Sequence, residues 1–241
     1  MRDDLSSGVT RFLDGLSPTD RERALPVLRA CATIEIEMGA PRFAPGFPRD
    51  ALLLVDEGFV VVRATAPSVF RSVVICEAGP GNILLPPLRE EVLVGLVRAR
   101  LAVIDAAARG QLLRMPALAE RVVGLLAVAL GQKQEAVTNF APTRHVERVQ
   151  RKLLQLGRSY GHVVRDGIRI DFPVSHALLA EMIGSSRETV TRAIDELQRA
   201  GFVARRGSTY RLLMSSDDIG DRFERRSAPS AQHTRDRRHS E

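Results

Sequence analysis

Residues 174–213, VSHALLAEMIGSSRETVTRAIDELQRAGFVARRGSTYRLL, constrain this chain more than any other stretch. Two short helical patterns meet at a glycine, and a hairpin pattern follows. Ser175 is placed to cap a first helix over 177–183, with Leu178, Leu179, Met182 and Ile183 mostly on one face. Gly184 breaks that helix, because glycine takes a left-handed stop without strain. Ser185 is read as the start of the second helix, and Glu188, three residues on, completes a capping box. Val190, Ala193, Ile194 and Leu197 recur at helical spacing and make one buried stripe. The opposite face carries Glu188, Arg192, Asp195 and Arg199, with Arg187 on its flank. After Gly201, residues 202–204 and 209–213 are β-prone and flank Arg205-Arg206-Gly207-Ser208, a hairpin-like turn.

Two helices joined by a glycine turn set the second across the first, free to enter a major groove. An arginine fork matches guanine O6 and N7, and a carboxylate accepts from cytosine N4. Arg187, Glu188 and Arg192 are therefore the base-reading candidates. On an isolated helix the plainer reading is that Glu188 caps and Arg192 is solvated. The glycine turn, the paired serines and the wing together outweigh it.

The run Gly184-Ser185-Ser186-Arg187-Glu188-Thr189-Val190-Thr191-Arg192 resembles the recognition-helix signature of the cyclic-AMP receptor/fumarate-nitrate regulator (Crp/Fnr) family of bacterial transcription factors. Its Ser-Arg-Glu-Thr-Val-x-Arg core is closest to the catabolite activator branch. The resemblance covers 174–213 strongly; upstream it is one of layout. It implies that Arg187, Glu188 and Arg192 read a GTG-containing half-site, and that Ser175, Ser186, Thr189, Gly207 and Ser208 approach phosphates. His176 stands where the family often has a basic or polar contact residue, so it is read as a pH-sensitive phosphate contact.

At 241 residues and 44% hydrophobic content the chain can form two packed domains. No apolar run reaches the roughly 20 residues of a membrane span. No basic-then-apolar signal opens the N-terminus. A cytoplasmic protein without a membrane partner is expected. The net charge of +6 suits a polyanion, and with lysine only at 133 and 152 nearly all of the positive charge is arginine. Cys31 and Cys76 sit in apolar surroundings, too few for an iron–sulfur centre and best read as buried small hydrophobes. The five histidines are scattered. No metal, cofactor, nucleophile elbow or P-loop is indicated, so an enzyme is not expected.

Along the chain, residues 9–16 and 18–30 read as helices, the second with Ser17 as N-cap and Pro18 at its first position. Residues 33–38 alternate as a half-buried strand does, 39–49 read as a Pro- and Gly-rich loop, and 51–55, 59–63 and 71–76 as strands. Residues 92–102 with 103–105 supply further strands. Many short strands with regular turns indicate a β-sandwich or jelly roll. Residues 50–58 resemble the lead-in of the family's cyclic-nucleotide-binding β-roll.

The family's nucleotide binders hold the ribose and cyclic phosphate with a Gly-Glu pair and, about ten residues on, an Arg-Ser pair. Anchored on Val97-Arg98-Ala99-Arg100, the corresponding positions here are Ile83, next to Asn82, and Leu93-Val94. An apolar lining does not hold a phosphate, because a desolvated anion without a partner charge costs several kcal/mol or more. This domain is therefore not expected to bind cyclic AMP in the usual way. Two readings stay open: it takes a more apolar effector at Asn82, Ile83, Leu93 and Val94, or it has lost ligand binding.

Pro116 opens the longest helical run, to about Asn139. Leu118, Val122, Leu125, Ala129, Gln132 and Ala136 form one seam, and Val123, Leu126 and Leu130 a second stripe. One stripe is read as packing on the β-roll and the other on a second subunit, where the resemblance places the family's dimerisation helix. Residues 140–143 read as the hinge, with Thr143 capping a helix over 144–157; 161–164 and 167–172 read as a hairpin, and the polar end beyond Leu213 as disordered.

The expected fold is α+β: a degenerate cyclic-nucleotide-binding-like β-roll over 1–113, a dimerisation helix and hinge over 114–141, a winged helix-turn-helix over 142–216 and a disordered basic tail over 217–241. The expected function is a homodimeric, sequence-specific DNA-binding transcription regulator reading a pseudo-palindromic GTG…CAC-like operator. Its expected partners are double-stranded DNA, a second copy, RNA polymerase and, on one of the two readings, an unidentified small-molecule effector. The alternative is an architectural DNA-binding protein with weak sequence preference.

Overall fold

The computed structural model describes residues 6–66, 71–138 and 144–213. The chain is α+β. Helices α1 (Ser7–Leu13) and α2 (Pro18–Arg29) lead into strands β1 (Ala32–Ile36), β2 (Pro41–Phe43), β3 (Leu52–Glu57), β4 (Val60–Ala66), β5 (Arg71–Ala78), β6 (Ile83–Leu84), β7 (Glu91–Gly95) and β8 (Ala99–Ile104). The strands pair antiparallel in two sheets, β1-β8-β3-β6 and β2-β7-β4-β5. Side chains alternating along each strand sort into different surroundings. From β3, Leu53 and Val55 enter the core between the sheets, with Val60, Val62, Leu93 and Leu101. Leu52 and Leu54 face the helices, against Phe12, Leu13, Leu118 and Val122. A strand buried on both faces reads as an unbroken apolar run, which is how residues 51–55 read.

Several boundaries differ from the sequence expectation. The 39–49 loop contains β2, whose residues Arg42 and Phe43 pair with Leu93 and Val92. The strand expected over 92–102 is broken between Gly95 and Ala99. Asp105 ends no strand; its carboxylate accepts from the Ala108 amide at 2.8 Å and caps α3 (Ala106–Leu112). That helix and β6 were not expected at all.

Helix α4 (Pro116–Thr138) separates the two stripes only in part, since Leu126 of the second packs on the same helical layer as Leu118 and Val122 of the first. Leu118 and Val122 are buried against the helical layer, and Ala129 packs on the sandwich core. Val123 and Leu130 stand 65% and 59% exposed, while Leu126 is half-buried. The expected hinge at 140–143, including the expected cap Thr143, and the tail over 217–241 lie outside the described residues.

Helix α5 (His145–Tyr160), strands β9 (Gly161–Val164) and β10 (Gly167–Ile170), helices α6 (His176–Ile183) and α7 (Arg187–Arg199), and strands β11 (Val203–Arg206) and β12 (Thr209–Leu212) form the C-terminal part, with the sheet order β11-β12-β10-β9. Val149, Leu153 and Leu156 of α5 lie beneath α6 and α7 in one cluster with Leu179, Val190, Ile194 and Tyr210. The same cluster takes in Val61, Val74 and Val94 of the β-roll, so the two parts share a core.

Candidate nucleic-acid interface

The interface is built from two helix ends and a turn. Ser175 caps α6, accepting from the Leu178 amide at 3.1 Å. Gly184 closes it in the left-handed region, at φ 61° and ψ 45°, and the Ser185 amide reaches back to the Ala180 carbonyl at 2.9 Å. This is a Schellman closure, which spends the Ser185 backbone on the end of α6. Ser185 therefore does not start the next helix, as its sequence position suggests. Ser186 does: its hydroxyl accepts from the Thr189 amide at 3.1 Å.

Val190, Ala193, Ile194 and Leu197 are buried, as the periodicity requires, and this turns the other face of α7 outward. Arg187, Glu188 and Arg192 are all exposed there. The Glu188 carboxyl is held below its usual range, first by its own backbone amide and then by the Ser186 hydroxyl, with Arg187 and Arg192 adding to the effect. The face thus offers two guanidinium forks and one carboxylate that stays ionised, the donor and acceptor set that base edges in a major groove require.

The wing stands beside this face. Gly207 makes its turn at φ 62°, and the Thr209 hydroxyl donates to the Arg206 carbonyl at 2.8 Å. The Ser208 carbonyl accepts from the Val174 amide at 2.7 Å, which fixes the wing to the start of α6. Arg205, Arg206 and Gly207 are exposed at its tip. Ser175 is exposed, and Ser186, Thr189 and Ser208 are half-covered.

His176 differs from the other expected phosphate contacts. It is half-buried, and Nδ1 lies 2.8 Å from the Thr191 hydroxyl on α7. Burial pushes the imidazole pKa down, and Arg205 and Arg187 add to this against Asp195. Thr191 had no role in the sequence reading. A β-branched residue in a helix interior, one turn after the first arginine, is the signal that could have marked it.

The four expected effector residues do not gather. Ile83 joins the helical layer, Leu93 enters the sandwich core, and Val94 packs with the C-terminal part. Asn82 folds back, its side-chain oxygen accepting from the Gly79 amide at 3.1 Å. Lys133, on α4, pairs with the nearly buried Glu91 carboxylate at 3.0 Å. Leu93 and Val94 carry no charge, and the Lys133 ammonium is committed to Glu91. Among the described residues no group of three or more His, Cys, Asp or Glu is placed to hold a metal. Nor, among them, is any helix long and apolar enough to cross a membrane.

Contacts between the two parts were also missed. Arg63 of β4 pairs with Glu181 of α6 at 2.8 Å, and Lys152 of α5 with Glu77 of β5 at 2.7 Å. The Tyr160 hydroxyl donates to the Glu77 carbonyl at 2.9 Å, and Phe59 stacks on Phe172 with centroids 4.3 Å apart. These pairs lie far apart in sequence, and no periodic pattern announces them.

Residues 147–215 match the Crp-like helix-turn-helix domain family. Over these residues the chain carries a Crp-like helix-turn-helix domain, and beyond them it is similar to CRP-like transcription regulators. It is 24% identical over 196 residues to a CRP-like cAMP-activated global transcriptional regulator of Mycobacterium tuberculosis, covering 78% of this chain and 87% of that protein. It is 34% identical over 93 residues to a global nitrogen regulator of Synechococcus elongatus, covering 39% and 42% of the two chains. Among solved structures, a c-di-GMP-responsive global regulator of Xanthomonas campestris has the same fold, with a TM-score of 0.60 at 23% identity over 83% of this chain and 100% of that one. A cyclic-nucleotide-binding-domain protein of Listeria monocytogenes reaches 0.66 at 16% identity, over 80% and 97%. In this Crp/Fnr fold, α6 and α7 are the helix-turn-helix of the DNA-binding domain.

Proposed function

We propose that this chain is a Crp/Fnr regulator that acts as a homodimer and reads a pseudo-palindromic GTG…CAC-like operator. The observation that carries the reading is the exposed triad Arg187, Glu188 and Arg192 on a helix whose other face is fully packed. In this reading the arginines address guanines, Glu188 accepts from a cytosine amino group, and Ser175, Ser186, Thr189, Gly207 and Ser208 approach phosphates around them. The exposed Val123 and Leu130 on α4 support a second copy as partner, because a helix stripe of this kind is costly to leave in water. RNA polymerase is the further partner such an output would address.

The M. tuberculosis relative is described as cAMP-activated. For this chain we propose that cyclic AMP does not take the usual pocket. The support is the pairing of Lys133 with Glu91 and the apolar, protein-packed Ile83, Leu93 and Val94. Calorimetry with cyclic AMP tests this; saturable micromolar binding overturns it. Selection from randomised DNA with the purified protein tests the main reading. An enriched GTG…CAC pair about one helical turn apart is expected. Binding without enrichment would instead make the protein an architectural DNA binder.

A further inference from the structure

The half-buried imidazole at the start of α6 is the feature that DNA reading by exposed side chains does not absorb. Thr191 has one hydroxyl proton, and it donates to the Arg187 carbonyl at 2.9 Å, one turn back. Its oxygen is 2.8 Å from His176 Nδ1. With its proton spent on Arg187, the hydroxyl acts as acceptor, so His176 must donate from Nδ1. The other ring nitrogen, Nε2, is buried with no hydrogen-bond partner. In the neutral ring that nitrogen is a bare acceptor. A second proton would become a buried N–H without an acceptor, beside cations. The charged groups facing the ring are Arg187 and Asp195 from α7 and Arg205 from β11.

We propose that His176 is a positioning residue for the recognition helix and not a phosphate contact. The chain His176 Nδ1–H, Thr191 hydroxyl, Arg187 carbonyl ties the first turn of α6 to the first turn of α7. It fixes the backbone from which Arg187 projects. A phosphate contact needs an outward N–H; here one nitrogen is committed to Thr191 and the other is sealed. The proposal rests on the reading of Arg187 as a base contact, and deepens it by naming what holds that arginine in register.

The test is a double-mutant cycle on a selected operator and on scrambled DNA, with His176→Ala, Thr191→Val, the double variant and Arg187→Ala. Each of the first two should lower the preference for the operator by roughly twofold to tenfold, the worth of one hydrogen bond. The double should be no worse than either single. The dependence of affinity on salt should keep its slope. His176→Asn, whose amide nitrogen reaches the place of Nδ1, should keep the preference. Additive losses overturn the proposal. So does an equal loss on both DNAs with the salt slope reduced by about one, the signature of a phosphate contact.

Acidity gives a second reading. The folded ring titrates below its ordinary 6.5, so it is neutral near pH 7. As pH falls through the folded value, the ring charges and the strut is disfavoured. The wild-type operator preference should therefore fall as the solution is acidified below the ring's ordinary range, and that of His176→Asn should not. A preference that rises on acidification, and only with His176 present, overturns the proposal. Nitrogen-15 NMR of the ring separates this idea from the one it rests on. If wild type and Arg187→Ala show the same lack of preference, base reading by Arg187 has failed. An Nδ1–H tautomer at neutral pH then still supports the His176–Thr191 strut, and an Nε2–H tautomer removes it.

Discussion

The first two turns of α7 place Arg187, Glu188 and Arg192 in water on one face, two guanidinium forks and one carboxylate acceptor. Arg187→Ala removes a fork and leaves the buried stripe untouched. It should cost about 1–3 kcal/mol of operator binding and relax preference at one guanine. Competition binding against the four bases at that position checks this; an equal loss on every sequence would show a phosphate contact instead. Glu188 is held ionised by its own amide and the Ser186 hydroxyl, so its contribution should be flat through the neutral range. These three residues were legible in the sequence because helical period alone assigns the outward face once the apolar stripe is known. His176 was not. Its partner lies fifteen positions away on another helix, and only the crossing of α6 and α7 brings the two together.

At the level of elements, the turn between α6 and α7 shows what a motif fixes and what it leaves open. The pattern of two serines followed by Glu188 announces a capped helix, and the capping-box spacing points to Ser185, three residues before Glu188. The preceding helix decides otherwise. Gly184 in the left-handed region draws the Ser185 amide back to Ala180, so Ser186 is the first residue free to cap α7. Ser186→Ala should therefore destabilise the protein by about 1 kcal/mol, and Ser185→Ala by less. Chemical denaturation of the two variants decides it, and a larger loss at Ser185 would reverse the assignment. Helix α4 was legible as two stripes, because its length holds several repeats. Strand β2 was hidden in a Pro- and Gly-rich segment, and α3 behind an Asp105 that reads equally as a strand end. Exposed Val123 and Leu130 give α4 its own test. Leu130→Arg should leave the fold intact and shift sedimentation toward a monomer. A dimer that survived this change would have to use another surface.

For the whole molecule, the joint between β-roll and DNA-binding domain is the level least visible in the sequence. It depends on a β-bulge: Val62 pairs with Cys76 and Arg63 with Val74, so Ile75 is the extra residue. Cys76 stays in the sandwich core, while Val74 is turned to the outer face beside Val61 and Val94. Residues 71–76 can be recognised as a strand from their composition, but nothing in them marks which side chain changes face. On this apolar patch the C-terminal part is held by two ion pairs of unequal depth. Arg63 and Glu181 are each 27% exposed, and solvent screening limits what that pair contributes. Glu77 and Lys152 are only 5% and 12% exposed. The Glu77 amide also donates to the Gln132 side chain at 2.9 Å, so α4, α5 and β5 meet at one residue. A buried pair of this kind adds little over an apolar replacement, yet losing one member leaves a charge without a partner. Lys152→Ala should therefore destabilise the protein by about 3–5 kcal/mol, and Glu77→Gln with Lys152→Met should recover most of the loss. Arg63→Ala should cost less than about 1 kcal/mol. Because the two parts share a core, thermal unfolding of the wild type should follow a single transition. Lys152→Ala should lower that transition or split it in two. A Lys152→Ala protein as stable as Arg63→Ala would mean that water reaches Glu77, and that the apolar and aromatic contacts carry the joint.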